Sequence, residues 1–124
     1  MLERAIRVPS DAHPILVERS AKHVVVRASG EVIADTSRAL MLREAGNAAV
    51  LYIPRRDVAF DVLEASETTT YCPYKGEARH FDLGEGDHRL SDVCWSYEAP
   101  HWAVAEIEDH IAFDPERIDR IELA

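Results

Sequence analysis

Cysteine is scarce in this 124-residue chain, with only Cys72 and Cys94 present. Two isolated thiols cannot build the disulfide framework of a small secreted domain, and they read as free cysteines of a reducing compartment. No apolar run approaches the length of a membrane-spanning helix, and Met1 to Arg7 has no apolar stretch of the secretion-signal kind. The expected address is therefore cytoplasmic. Basic residues are also few: 14 Lys and Arg face 23 Asp and Glu, a formal charge of −9. That field repels phosphate backbones and anionic lipid, and the cations are scattered rather than striped, so neither nucleic acid nor membrane is an expected partner. There is no Pro/Gly/Ser linker, internal repeat or low-complexity tract, so residues 1–124 read as one domain.

Chemical signatures are equally sparse. The chain has no Cys-x-x-Cys, no His-Glu-x-x-His and no tight His pair, so no metal site is expected; His80, Cys72 and Cys94 are three scattered soft ligands. A phosphate-cradling Gly-rich loop, a nucleophile elbow and a Ser-His-Asp signature are missing too, and no resident cofactor is implied.

What the chain does contain is a succession of short β-like runs. Ile15–Val17, His23–Arg27, Ala49–Ile53, Ala78–Leu83 and Val93–Tyr97 are rich in β-branched and aromatic residues or alternate in polarity. Ser29-Gly30 reads as a two-residue hairpin turn into a strand over Glu31–Asp35. Ala103–Ile107 and His110–Phe113 form an expected hairpin around Glu108-Asp109, and Ile118–Leu123 is placed to close a sheet edge. In Val93–Tyr97 the alternation sets Val93, Trp95 and Tyr97 on one face and Cys94 and Ser96 on the other. One short helix is expected near residues 57–64, after Pro54, with Val58, Val62 and Leu63 along one face. Ser37–Ala45 has helix formers and capping signals among strand neighbours, and its local sequence leaves helix and strand both open.

Three segments carry candidate chemistry. Thr68–Gly76 packs a thiol, an ammonium and two phenols around Cys72-Pro73-Tyr74-Lys75-Gly76. Pro73 pushes Cys72 toward an extended conformation, and Lys75 can lower the Cys72 pKa or hold an anion as a point charge. Cys72 and Lys75 are thus the candidate catalytic groups, against the plain alternative of a small buried thiol among core tyrosines. Dithiol redox chemistry fails for want of a second cysteine nearby. Trp95-Ser96-Tyr97, with Pro100-His101-Trp102, offers aromatic faces for a flat or apolar ligand, or simply core packing. Pro54-Arg55-Arg56-Asp57 sets two guanidiniums at a strand-to-helix corner, where they can clamp an anion or pair at the surface. Asp109-His110 and Glu98/His101 read as solvated turns.

These segments, in this order, carry a resemblance. Tyr52-Ile53-Pro54-Arg55-Arg56-Asp57-Val58, Thr70-Tyr71-Cys72-Pro73-Tyr74-Lys75-Gly76-Glu77-Ala78, Trp95-Ser96-Tyr97-Glu98-Ala99-Pro100 and Ile111-Ala112-Phe113 resemble the domain of unknown function 427 family, from about His23 onward. The resemblance implies a mostly β fold, a β-tent of two antiparallel sheets meeting at an angle. It also implies a strand for Ser37–Ala45. The same fold occurs in methionine sulfoxide reductase B and the ligand-binding domain of cereblon, where Cys-x-x-Cys knuckles hold a zinc. This chain lacks them. The family carries a nucleotidyltransferase-like label, but the Asp-x-Asp carboxylate pair of two-metal transfer chemistry is missing here.

The expectation from residues and resemblance together is a small-ligand-binding domain. Arg55, Thr70, Cys72, Lys75, Trp95 and Tyr97 would line a pocket between the sheets for a small anion with an aromatic or apolar part. Two alternatives stand beside it. One is an enzyme of nucleotidyl- or phosphoryl-transfer type using Lys75 and Arg55, or Cys72 as nucleophile. The other is a structural or protein-interaction module in which these residues pin the fold. Oligomeric state is left open.

Overall fold

Ser29 and Gly30 both adopt positive φ, 51° and 78°, the geometry of a two-residue turn whose twist matches that of flanking strands. They close the first hairpin of a computed structural model that describes residues 4–124. Among the described residues ten strands follow one another: β1 Ile15–Arg19, β2 Val24–Ala28, β3 Glu31–Thr36, β4 Leu40–Glu44, β5 Val50–Pro54, β6 Leu63–Cys72, β7 Gly76–Leu83, β8 Leu90–Tyr97, β9 His110–Phe113 and β10 Arg120–Leu123. They form two sheets, ordered β1-β4-β5-β9-β8-β7-β6 and β10-β2-β3. Every strand pairing is antiparallel. Among the described residues no helix is long and apolar enough to cross a membrane.

The larger sheet has an apolar cluster on each side. On one side Val24, Val26, Ala28, Ile33 and Ala34 of the small sheet meet Ile53, Phe81, Leu83, Cys94, Ile111 and Phe113 of the large one. On the other side lie Leu42, Tyr52, Ala78, Tyr97 and Ala112, with Val104 and Ile107 folded over them. The register explains this second face. Leu40 opposes Arg19 and Tyr52, Pro54 opposes His110, Trp95 opposes Ala112 and His80, and Ala78 opposes Tyr97 and Thr70. Directly opposed residues share a face, so this whole set looks the same way.

The large sheet is rolled around that face. Glu44 of β4 bonds Lys75, which immediately precedes β7, at 2.7 Å. Four strand spacings separate β4 from β7 in the sheet order, which would put them about 19 Å apart if the sheet were flat. The sheet narrows at β9, which shares only two register pairs with β5 and two with β8. Bending there brings β4–β5 and β6–β8 face to face.

Three local expectations change. In place of a helix near residues 57–64 there are two single 3-10 turns, Arg55–Asp57 and Phe60–Val62, with Leu63 and Glu64 already in β6. Between the turns Val58 is extended; it bridges to Ala34, and the Ala59 N–H donates to the Ile33 carbonyl at 2.9 Å. The segment buries Val58 and packs Phe60 against the core, an i, i+2 pattern, while Val62 of the expected helical stripe stays exposed. Ala103–Ile107 is not a strand but part of a 3-10 segment, Trp102–Ile107, which buries Val104 and Ile107 three residues apart. Val93 joins Cys94 in the first cluster rather than sharing a face with Trp95, next to Asp92, whose φ is +52°. Ser37–Ala45 does contain a strand, β4, which is paired on both sides.

Candidate functional site

Thr68–Gly76 is largely strand rather than loop. β6 runs to Cys72, the Lys75 N–H donates to the Cys72 carbonyl at 3.2 Å, and Cys72 pairs with Gly76 as β7 begins. Gly76 holds φ at +113°, and a Cβ there would meet the Ala99 carbonyl at 3.4 Å. A tight hairpin end at this point requires glycine. Because Ala78 pairs with Tyr97, the turn that precedes Ala78 is carried toward the end of β8. Lys75 Nζ lies 6.0 Å from the centre of the Tyr97 ring.

A cavity of about 310 Å³ opens here, inside the roll of the large sheet. One wall is Thr70, Lys75, His80, Trp95 and Tyr97, from β6, β7, β8 and the turn between the first two. The facing wall is Leu42, Glu44, Val50 and Tyr52, with Asn47 and Ala48 of the β4–β5 turn. None of the lining residues belongs to the small sheet, so the cavity does not lie between the two sheets as expected. The space between the sheets is filled by the first apolar cluster, which is close-packed with Val, Ile and Phe.

Of the six expected ligand-binding residues, Thr70, Lys75, Trp95 and Tyr97 line the cavity. Cys72 does not; it packs beside the second apolar cluster. Arg55 faces elsewhere, its guanidinium 4.2 Å from the centre of the Phe60 ring and 3.1 Å from Glu98. Glu98 therefore sits in an ion pair rather than a solvated turn. The Tyr71 hydroxyl donates to the Ala5 carbonyl at 2.7 Å and shares a hydrogen bond with His101 Nε2 at 3.1 Å, and Trp102 stands out in solvent, 73% exposed. Cys72 and Cys94 are both free thiols, in clusters on opposite sides of the sheet. Burial pushes Cys94 up to about 12, which makes it a poor nucleophile near neutrality. Among the described residues no three His, Cys, Asp or Glu side chains are grouped as a metal ion requires.

The polar part of the cavity is an ion pair with its own support. Lys75 and Glu44 side chains are 13% and 10% exposed. Glu44 also bonds His13 Nε2 at 2.7 Å, and the His13 ring stacks on Tyr74 at 4.1 Å. Burial alone would raise the Glu44 pKa, but the hydrogen bonds from Lys75 and His13 and their charges override it and hold the carboxyl below its ordinary range. Burial would likewise lower Lys75, and the hydrogen bond to Glu44, with the coulombic influence of Cys72, Glu44 and Tyr52, turns the balance upward. Both groups stay ionised near neutrality. Burial also raises the phenols of Tyr52 and Tyr97, so both are neutral hydroxyls, able to donate and accept. Thr70 Oγ1 and His80 Nε2 share a hydrogen bond at 2.9 Å on the opposite rim.

Sequence reasoning does not place Glu44, Tyr52 or His80 in the cavity, although His80 and Tyr52 stand in segments it singles out. The signal lay in the alternation Leu40-Leu42-Glu44, which becomes visible once that segment is read as a strand, because a carboxylate closes an otherwise apolar row. Comparison with curated proteins finds no match for the chain. Every residue of the cavity falls within residues 16–123, which match the family described as a domain of unknown function (DUF427), and the chain belongs to that family.

Proposed function

We propose that this domain binds a small organic molecule in the cavity inside the rolled sheet. The observation that carries the reading is the convergence of Lys75, Thr70, Trp95 and Tyr97 with Glu44 and Tyr52 on one space of about 310 Å³. That volume sits at the small end of ligand pockets, which span roughly 300–1,000 Å³. Apolar walls from Leu42, Val50 and Trp95 suit a flat or aliphatic body, while the hydroxyls and the ion pair suit a polar edge.

The pairing of Lys75 changes the expected charge of the occupant. A free anion would compete with Glu44 for the ammonium in a protein already at −9. A neutral or zwitterionic ligand, with an acceptor for Lys75 and a donor for Glu44, meets both charges without breaking the pair. Transfer chemistry by Lys75 with Arg55 has less support, since Arg55 turns toward Phe60 and Glu98. A Cys72 nucleophile has less support as well, since Cys72 does not line the cavity.

A thermal-shift screen of small planar amides, heteroaromatics and amino-acid derivatives tests the proposal. Hits should raise the Tm of the wild type and not that of Thr70→Trp, whose indole fills the cavity from an exposed edge-strand position. A hit that stabilises both proteins equally binds elsewhere, and a screen whose hits all behave so contradicts the reading.

A further inference from the structure

A second cleft, of about 470 Å³, lies on the same face of the large sheet, where Arg19, Leu40, Pro54 and His110 look outward beyond the segment Trp102–Ile107. Arg38 and Arg56 complete one wall. The concentration of guanidiniums matters because the chain as a whole carries nine more acids than bases. Three arginines from three different elements meet here: the end of β1, the approach to β4 and the 3-10 turn after β5.

Their charges are largely unclaimed. Among the described residues Arg19 and Arg56 make no ion pair. The one carboxylate within ion-pair range of Arg38 among the described residues is Asp57 at 3.9 Å, and it already accepts a hydrogen bond from the Thr36 hydroxyl at 2.7 Å. Arg55 borders the cleft, but its guanidinium is spent on Glu98 and Phe60. Glu106 and Asp109 also line the cleft and form no ion pair with these arginines among the described residues. The Asp109 carbonyl accepts from the Arg55 N–H at 2.8 Å, so Asp109 stands at the β9 end of the cleft, three strands from Arg19 of β1. Leu40 and Pro54 line the cleft as well and supply apolar surface.

We infer that this cleft binds a small phosphorylated hydroxy compound, of the sugar-phosphate class. Planar guanidiniums match phosphate oxygens in forked pairs, which assigns the phosphoryl group to Arg19, Arg38 and Arg56. Carboxylates accept hydrogen bonds from hydroxyls and repel phosphate, which assigns the polyol to Glu106 and Asp109 and fixes the ligand's direction. The C–H face of the polyol rests on Leu40 and Pro54. This site is separate from the cavity beside Lys75 and does not depend on it.

Ligand-observed NMR titrations with ribose 5-phosphate, inorganic phosphate and ribose test the inference. Ribose 5-phosphate should bind, inorganic phosphate should bind more weakly, and ribose alone should not bind. The double variant Arg19→Gln/Arg56→Gln changes two exposed, unpaired side chains and should fold normally. It should weaken both phosphate compounds by at least about tenfold. Glu106→Gln/Asp109→Asn should weaken ribose 5-phosphate alone. Absence of ribose 5-phosphate binding, or binding unchanged in the double arginine variant, would overturn the site. Binding equal for phosphate and ribose 5-phosphate would overturn the assignment of the carboxylates.

Discussion

Lys75 is fixed by a carboxylate that stands 31 residues earlier in the chain, and that bond decides how the residue answers to mutation. Lys75→Met keeps the length of the side chain and removes the charge, leaving Glu44 shielded from water with His13 as its remaining partner. The expected cost is about 1–3 kcal/mol of stability, the usual range for stranding one member of a shielded polar pair. Chemical denaturation will measure it, and a loss indistinguishable from zero would mean that the pair contributes nothing to the fold. Acid offers a second handle on the same bond. The Glu44 carboxyl titrates lower in the folded chain than its ordinary 4.5. Its contribution is therefore complete above that pH and is lost as pH falls through the depressed folded value. Asp82 behaves in the same direction: burial raises it, and the Asp92 N–H and Arg89 outweigh burial to hold it low. Glu44→Gln should therefore flatten the fall in denaturation midpoint below pH 4.5 without abolishing it. A pH profile identical to wild type would contradict the assignment of Glu44.

Elements were legible where a strand alternates or a turn is chemically marked, and obscure where tertiary pairing decides. The Ser29-Gly30 hairpin and β5, β7, β8 and β9 could be read directly, since each pairs a β-branched or aromatic run with a clear stop. β6 could not. Its sequence from Leu63 to Cys72 is mostly polar on both faces because it is the edge of the sheet, with a register shift between Ala65 and Thr69. Edge strands are kept polar and irregular to prevent further pairing, and that device erases the alternation that would announce them. β4 has helix formers and capping signals that leave its local sequence open between helix and strand, and it becomes a strand because β1 and β5 use both its hydrogen-bonding edges. The segment Trp102–Ile107 shows the opposite error. As a strand it would place Ala103, Ala105 and Ile107 together; as a 3-10 turn it buries Val104 and Ile107 and exposes Ala105. Ile107→Ala should cost about 2–5 kcal/mol, as for other fully buried aliphatics. Ala105→Lys should change stability by no more than about 0.5 kcal/mol, as at ordinary surface positions. A large loss in Ala105→Lys, followed by thermal or chemical unfolding, would contradict the observed turn.

At the scale of the whole molecule, two apolar clusters on either side of one sheet leave a single rolled face on which both cavities lie. The antiparallel register of β7 and β8 made the approach of Lys75 to Tyr97 legible from sequence, because it needs only neighbouring strands. The facing wall was not legible. It arises when the sheet bends at β9, and no local pattern in Leu42, Glu44, Val50 or Tyr52 says that β4–β5 will meet β6–β8. The same bend moves the cavity away from the space between the sheets and supplies Lys75 with its counter-ion. The proposed binding role therefore rests on the cavity as a unit, and protein-observed NMR of the isotope-labelled domain tests it most directly. Titration with the stabilising hits should shift the amides of Val50, Tyr52, Thr70, Lys75 and Trp95 and the Trp95 indole N–H, leaving the exposed Trp102 indole in place. Shifts confined to other surfaces, or none in this group at saturating ligand, would contradict it.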